Sequence, residues 1–162
     1  MAMVGLFACL AFVHTPPAKA SQTEGTAANG KKSRPASKVR WVSYQEGLRR
    51  SKDEGKKVFL NFYADWCHYC KVMEEKTFRD NAVAAYLNDH YIPIQVDSDR
   101  QQKIAKEYKV QGLPTTYFLG ADGGSIGSQP GYIPPDLMLP LLQFIHTDSF
   151  KTMDFQKFQE GR

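Results

Sequence analysis

Hydrophobic and polar positions divide the chain into three stretches. Val4 to Val13 is an almost unbroken apolar run, closed by His14, Pro16 and Pro17 and then by Ala18-Lys19-Ala20. A short apolar core ending in an A-x-A site predicts a secretory signal over residues 1–20, cleaved after Ala20. Met1-Ala2-Met3 carries no Lys or Arg, so only the terminal amine supplies positive charge; an uncleaved short anchor or a mis-assigned start is the alternative. Cys9 suggests a lipoprotein only weakly, since it lies inside the apolar core with Phe7 two residues before it. Residues 21–40 are polar, small and basic, with Val39 as the one aliphatic side chain larger than Ala. Such a stretch cannot bury enough apolar surface to offset its ordering entropy, which predicts a flexible basic linker.

From Trp41 onward the pattern becomes periodic and predicts a domain over 41–162. Tyr44 and Leu48 among charged neighbours predict a surface helix ending near Gly55. Val58-Phe59-Leu60-Asn61-Phe62-Tyr63 is a continuous run, as in a strand buried on both faces. Cys70 to Lys76 reads as helix, and Val83, Tyr86 and Leu87 share a second helical face. Tyr91 to Val96 predicts a strand near the edge of its sheet, because Pro93 has no N–H to donate. Ile104 and Tyr108 mark a short helix, and Thr115 to Leu119 a third strand. The Ala121-Asp122-Gly123-Gly124 turn leads into a return strand at Ser125-Ile126, making a hairpin. Leu137, Met138, Leu141, Phe144 and Ile145 form an amphipathic closing helix. Residues 147–162, with Phe150, Phe155 and Phe158, form an extension of one or two helical turns that packs back on the domain. The order predicts an α/β fold: a central mixed sheet with helices on both faces.

Composition narrows the class. The chain has 162 residues, 42% apolar and 23% charged, a globular balance. No apolar run approaches the roughly 18 residues of a membrane-spanning helix, so no stable span remains after signal cleavage. The formal charge of +4 is unevenly placed: residues 1–40 hold six basic groups against Glu24 alone. The rest holds 15 basic and 16 acidic groups, so the folded part gives no case for a nucleic-acid partner.

Candidate chemistry gathers at Trp66-Cys67-His68-Tyr69-Cys70, directly after a buried strand and at the start of a helix. Cleavage removes Cys9 and leaves these two thiols, three residues apart. Two cysteines so placed can close a disulfide, and the helix's partial positive charge stabilises a thiolate on the first, below the free value of about 8.5. The second, one turn in and more buried, can attack a mixed disulfide and release the partner. Lys71 follows Cys70, which excludes the C-x-x-C-H of haem attachment. A structural zinc site would need two more ligands, and His90 and His146 show no second paired spacing. A purely structural disulfide remains open, although so small a loop constrains the unfolded chain little. No cofactor and no metal are expected.

These residues carry a resemblance. Phe62-Tyr63-Ala64-Asp65-Trp66-Cys67-x-x-Cys70-Lys71 resembles the active-site segment of the thioredoxin superfamily, and Gly112-Leu113-Pro114-Thr115 resembles its cis-proline loop. The extended match over about residues 41–146 includes Lys57-Val58, Glu74-Glu75-Lys76-Thr77-Phe78 and Gly131. It is most like the C-terminal periplasmic domain of the thiol-disulfide transporter DsbD and related small exported proteins. The resemblance implies a thioredoxin fold, a redox-active Cys67–Cys70 disulfide, attack by Cys67 and resolution by Cys70. It also implies a partner held as an added strand beside Leu113 and Pro114. Trp66, His68, Tyr69, Leu113 and Pro114 are the candidate substrate-contacting residues, with Trp66 also expected as a packing wall beside the disulfide.

The sequence departs from the family at two places. Asn61 stands six residues before Cys67, where many thioredoxins carry a buried Asp, so Glu74, one turn beyond Cys70 and like an acid of the DsbD domain, becomes the candidate base for Cys70. The His68-Tyr69 spacer is neither Gly-Pro nor Pro-His. A protonated His68 would favour the Cys67 thiolate; otherwise it is an exposed contact residue. His90 and His146 are expected as ordinary surface residues.

The expected function is an exported, periplasmic or otherwise secreted thiol–disulfide oxidoreductase acting on protein thiols and disulfides, as reductase or electron relay. A dithiol outside the cytosol needs its electrons resupplied, which implies a membrane thiol-disulfide transporter as donor. The alternatives are an oxidase or isomerase, and a thioredoxin-fold chaperone or copper(I)-binding module.

Overall fold

The computed structural model describes residues 38–161. The expected signal over 1–20, Cys9 and the linker up to residue 37 lie outside the described residues. The elements follow in the order α1 (Tyr44–Glu54), β1 (Lys57–Tyr63), α2 (His68–Lys76), α3 (Asn81–His90), β2 (Tyr91–Asp97), α4 (Gln102–Glu107), β3 (Thr115–Leu119), β4 (Ser125–Pro130), α5 (Pro135–His146) and α6 (Phe155–Glu160). The four strands form one sheet in the order β2-β1-β3-β4. β1 runs parallel to β2 and antiparallel to β3, which pairs antiparallel with β4. The sheet is therefore mixed, with β2 at an edge as Pro93 requires.

Alternation along the strands sends side chains to two covered faces. Val58, Leu60 and Phe62 meet Ile92, Ile94 and Val96 beneath Leu48 of α1 and Ile104 of α4. Phe59, Tyr91 and Phe118 face the other way, against Met73, Val83, Leu87, Met138 and Leu142 of α2, α3 and α5. Each such side chain contributes about 1.5–3 kcal/mol by leaving water, so both layers hold β1 in place. Asn61 is the polar exception inside β1; it donates its amide N–H to Thr116 Oγ1 on β3 at 3.4 Å.

Local signals account for the helix ends. Asp80 caps α3 by accepting from the amides of Ala82 and Val83 at 2.9 and 3.0 Å. Gly55 ends α1 with φ of +66°, a left-handed turn that a side chain would strain. Gly47 lets α1 approach the sheet, since a Cβ there would lie 2.3 Å from Ile94 Cδ1.

One boundary differs from the sequence reading. Val39 is only 4% exposed and belongs to the core. The Arg40 amide donates to Asn88 Oδ1 at 2.8 Å, and Asn88 Nδ2 donates to the Lys38 carbonyl at 2.9 Å. Residues 38–40, assigned to the linker, are thus pinned to α3, and packing starts before Trp41. At the other end, Phe150, Phe155 and Phe158 lie 6.4, 5.4 and 5.3 Å from the Phe144 ring of α5.

Candidate active site

β1 ends at Tyr63, and the chain turns through Ala64-Asp65-Trp66 into α2. Cys67 stands at the N-cap of α2, where its amide donates to Ala64 O at 3.1 Å. Its Sγ accepts the Cys70 N–H at 3.1 Å and is bonded to Cys70 Sγ, with the two Cα atoms 5.3 Å apart. A sulfur at that position faces the unsatisfied amides and positive end of the helix, and the first turn of α2 holds no acid to oppose a thiolate.

The sequence reading placed Cys70 deeper than Cys67; the structure does not. In the disulfide Cys67 is 4% and Cys70 8% exposed. Both pack with Ala64 in one cluster, against which Tyr63 and Leu113 lie. The Leu113–Pro114 peptide is cis, and the Gly131 amide donates to Pro114 O at 2.8 Å.

Trp66 is not the expected packing wall. It is 70% exposed, and its Nε1–H donates to Asp99 Oδ2 at 2.9 Å. The disulfide's apolar cover comes from Tyr63, Ala64 and Leu113 instead. The clamp on Trp66 is the loop after β2, which sequence reading missed. There Ser98 N–H donates to Tyr63 O at 2.8 Å, and Asp97 Oδ1 accepts from the amides of Asp99 and Arg100. The Arg100 guanidinium spans Asp97 at 3.2 Å and Asp65 at 3.7 Å. Only the run of acids and polar residues at 97–100 hinted at this.

His68 and Tyr69 are exposed beside the disulfide, their rings 5.5 Å apart edge to face. Glu74 lines a recess of about 250 Å³ together with Tyr63, Cys70, Lys71 and Gln95. The candidate base and the second cysteine thus share one cavity, while Asn61 turns its amide to Thr116. Burial, with the Asp97 and Asp65 carboxylates, pushes the Tyr63 phenol above its usual value and keeps it protonated there. On the other side, Trp66 and Leu113 line a groove of about 350 Å³. Among the described residues, no three His, Cys, Asp or Glu side chains converge as metal ligands.

His90 and His146 were expected on the open surface. They are half-buried and face each other with ring centroids 4.4 Å apart, where the ends of α3 and α5 meet. Tyr86 O–H lies 2.9 Å from His146 Nδ1.

A mixed sheet with helices on both faces, bearing a two-cysteine disulfide at a strand-to-helix junction, defines a thioredoxin-fold protein. The chain belongs to the thioredoxin-like domain family, which matches residues 44–146. It is 34% identical over 125 residues to the uncharacterized Caenorhabditis elegans protein B0495.5, covering 68% of this chain and 17% of that one. It is 40% identical over 88 residues to the thiol:disulfide interchange protein DsbD of Vibrio vulnificus, covering 52% of this chain and 15% of DsbD. The disulfide bond reductase DsbH of Chlamydia pneumoniae is 28% identical over 134 residues, covering 72% of this chain and 81% of DsbH. The chain therefore spans less than a fifth of the length of the first two relatives. Among solved structures, a thioredoxin from Thermus thermophilus superposes with TM-score 0.61 at 28% identity, covering 66% of this chain and 86% of that one. Among the described residues, no helix is long and apolar enough to cross a membrane.

Proposed function

We propose that this chain is an exported thiol–disulfide oxidoreductase that reduces protein disulfides, or relays electrons to them, through Cys67 and Cys70. The observation that carries this reading is Cys67 at the N-cap of α2, bonded to a cysteine one turn away. In the reduced protein the Cys67 thiolate attacks one sulfur of a partner's disulfide, forming a mixed disulfide and releasing the partner's other sulfur as thiolate. Cys70 then loses its proton and attacks Cys67 Sγ. The Cys67–Cys70 disulfide forms, the partner's second thiolate leaves, and two electrons have passed to the partner.

Glu74 is the base that takes the Cys70 proton, supported by the recess the two share. Trp66, His68, Tyr69, Leu113 and Pro114 surround the disulfide and contact the partner, which adds as an extended segment beside Leu113 and Pro114. The likeness to a disulfide bond reductase and to a thiol:disulfide interchange protein favours the reducing direction. Export rests on the signal-like residues 1–20, and outside the cytosol a membrane thiol-disulfide transporter is the electron donor.

The experiment is equilibration in glutathione or dithiothreitol buffers, with intact mass read for the two hydrogens (two protons and two electrons) that separate dithiol from disulfide. A potential near about −270 mV supports the reductase, whereas one near about −120 mV marks an oxidase. A pair that stays oxidised in strong reductant is a structural disulfide and ends the redox reading. A stoichiometric copper(I) complex without disulfide exchange would place the chain among metal-binding modules instead.

A further inference from the structure

Away from the disulfide, three cations from different parts of the chain line one recess of about 280 Å³: Arg40 ahead of α1, Arg50 on α1 and Lys56 just after it. Asn88, Trp41 and Pro93 form much of the remaining wall, and among the described residues no carboxylate lines it. The recess lies at the start of β2, whose Tyr91 and Pro93 pair with Lys57 and Phe59 at the start of β1. The disulfide follows the other end of β1, about 20 Å away along the strand.

The three side chains are held in place by their neighbours. The Arg40 amide donates to Asn88 Oδ1 at 2.8 Å, and Arg40 Nη2 donates to Asn88 O at 3.4 Å. The Val42 amide donates to Pro93 O at 3.0 Å and fixes the same segment against β2. Arg50 Nη2 and Lys56 Nζ meet the two oxygens of Glu54 at 2.8 and 3.4 Å, with side chains 37% and 36% exposed. Glu54 lies outside the lining, so it steadies both cations from behind and offsets one charge of the three. No ion pair among the described residues involves Arg40. Two positive charges are therefore left around one partly enclosed space, although residues 41–162 as a whole hold 15 basic against 16 acidic groups. Like charges gathered in this way repel one another, and an anion placed between them removes the repulsion.

We propose that this recess binds a phosphate monoester. The ester's charge of about −1.5 to −2 at neutral pH matches the two charges that Glu54 leaves uncompensated. The Arg40 guanidinium takes two phosphate oxygens in its planar fork, and the Lys56 ammonium acts as a point charge beside it. A phosphate held at this end of the strands leaves the Cys67–Cys70 pair at the other end open to partners. A soluble phosphate ester and the headgroup of a phosphatidic acid surface carry the same chemistry.

The test titrates the full chain with glycerol phosphate by calorimetry at constant ionic strength. Separately, the chain is co-sedimented with phosphatidylcholine vesicles, with and without phosphatidic acid. Saturable binding of glycerol phosphate is expected, about tenfold weaker in Arg40→Gln and in Lys56→Gln, each having lost one charge-assisted hydrogen bond. The double variant should not bind. Lys52→Gln removes an exposed cation of α1 that does not line the recess, and is expected to bind like wild type. Thermal unfolding without ligand checks the fold of each variant, and Arg40→Lys, which keeps the charge without the fork, should keep part of the affinity. Co-sedimentation that needs phosphatidic acid and is lost in the double variant assigns the phosphate to a lipid headgroup. Glycerol phosphate binding without co-sedimentation assigns it to a soluble ester. Binding of neither probe, wild-type affinity in the double variant, or equal weakening in Lys52→Gln would each overturn the proposal.

Discussion

Asp99 accepts the indole N–H of Trp66 at 2.9 Å, tying the loop that leaves β2 to the residue just before Cys67. Arg100 reinforces the same junction by bridging Asp97 and Asp65. An otherwise exposed Trp is thereby held at one side of the groove next to the disulfide. Asp99→Ala is expected to release it, shifting Trp fluorescence and slowing exchange with a protein disulfide several-fold. Stability should move by no more than about 0.5 kcal/mol, as at other exposed positions. Unchanged fluorescence together with unchanged exchange would show that the contact positions nothing.

The two cysteines are covered alike in the disulfide, so burial does not separate their roles; the N-cap position does. Cys70→Ser is expected to accumulate mixed disulfides with protein partners, and Cys67→Ser is not. Non-reducing gels followed by mass spectrometry read the difference, and equal or reversed trapping would mean the roles are wrongly given.

Glu74→Gln is expected to slow the resolving step at neutral pH by about a hundredfold, the lower end of the range of about 10²–10⁴ that a positioned base typically supplies. The first attack by Cys67 should be affected far less. Stopped-flow measurement of both steps across pH separates them. A resolving step that keeps its wild-type rate would remove Glu74 from the mechanism, leaving it a carboxylate on the wall of a cavity.

Burial first, then His90 and the Lys57 ammonium, hold the His146 pKa below its ordinary 6.5, against a smaller opposing pull from Asp148. The unfolded chain takes up this proton near pH 6.5, whereas the folded chain resists it. This contribution to stability is complete above about pH 6.5 and is lost as pH falls through the lower folded value. The carboxylates with lowered values, Glu46, Glu54 and Asp148, titrate from 4.5 downward and leave that window clear. The melting temperature is expected to fall between pH 7 and pH 5, and to fall less in His146→Gln. Identical slopes would exclude the histidine.

Gly47→Ala places a methyl group where Ile94 already sits. Overpacking of this kind costs about 1–3 kcal/mol. Urea unfolding should show the loss, and Gly47→Ala combined with Ile94→Val should recover part of it, because the clash falls on the Ile94 Cδ1 and Cγ1 atoms.

What the sequence made legible was local. The continuous run at Val58–Tyr63, the Pro93 that bars a central strand and the Gly-rich turn at 121–124 each carry their own physical cause, and each element lies where that cause puts it. The Cys67/Cys70 pair at a strand-to-helix junction is likewise a local signal. Relationships across long separations were not legible. Trp66 beside two cysteines reads as packing until Asp99, 33 residues away, claims its N–H. His90 and His146 look solitary because nothing in spacing shows that α3 and α5 end side by side. Val39 stands alone among polar residues, with no periodicity to reveal that Asn88 secures the segment around it to α3. The cover over the cysteine pair also includes a residue from a distant loop, Leu113.

β1 is the only strand of the sheet bonded on one side to a parallel and on the other to an antiparallel neighbour, and the disulfide hangs from its end. An element held on both edges and covered on both faces opens only when the whole domain does. Loss of disulfide exchange on heating and loss of the fold are therefore one event, read at a single temperature. The amides of Leu60 and Asn61 belong among the last in the molecule to trade their hydrogens for deuterium.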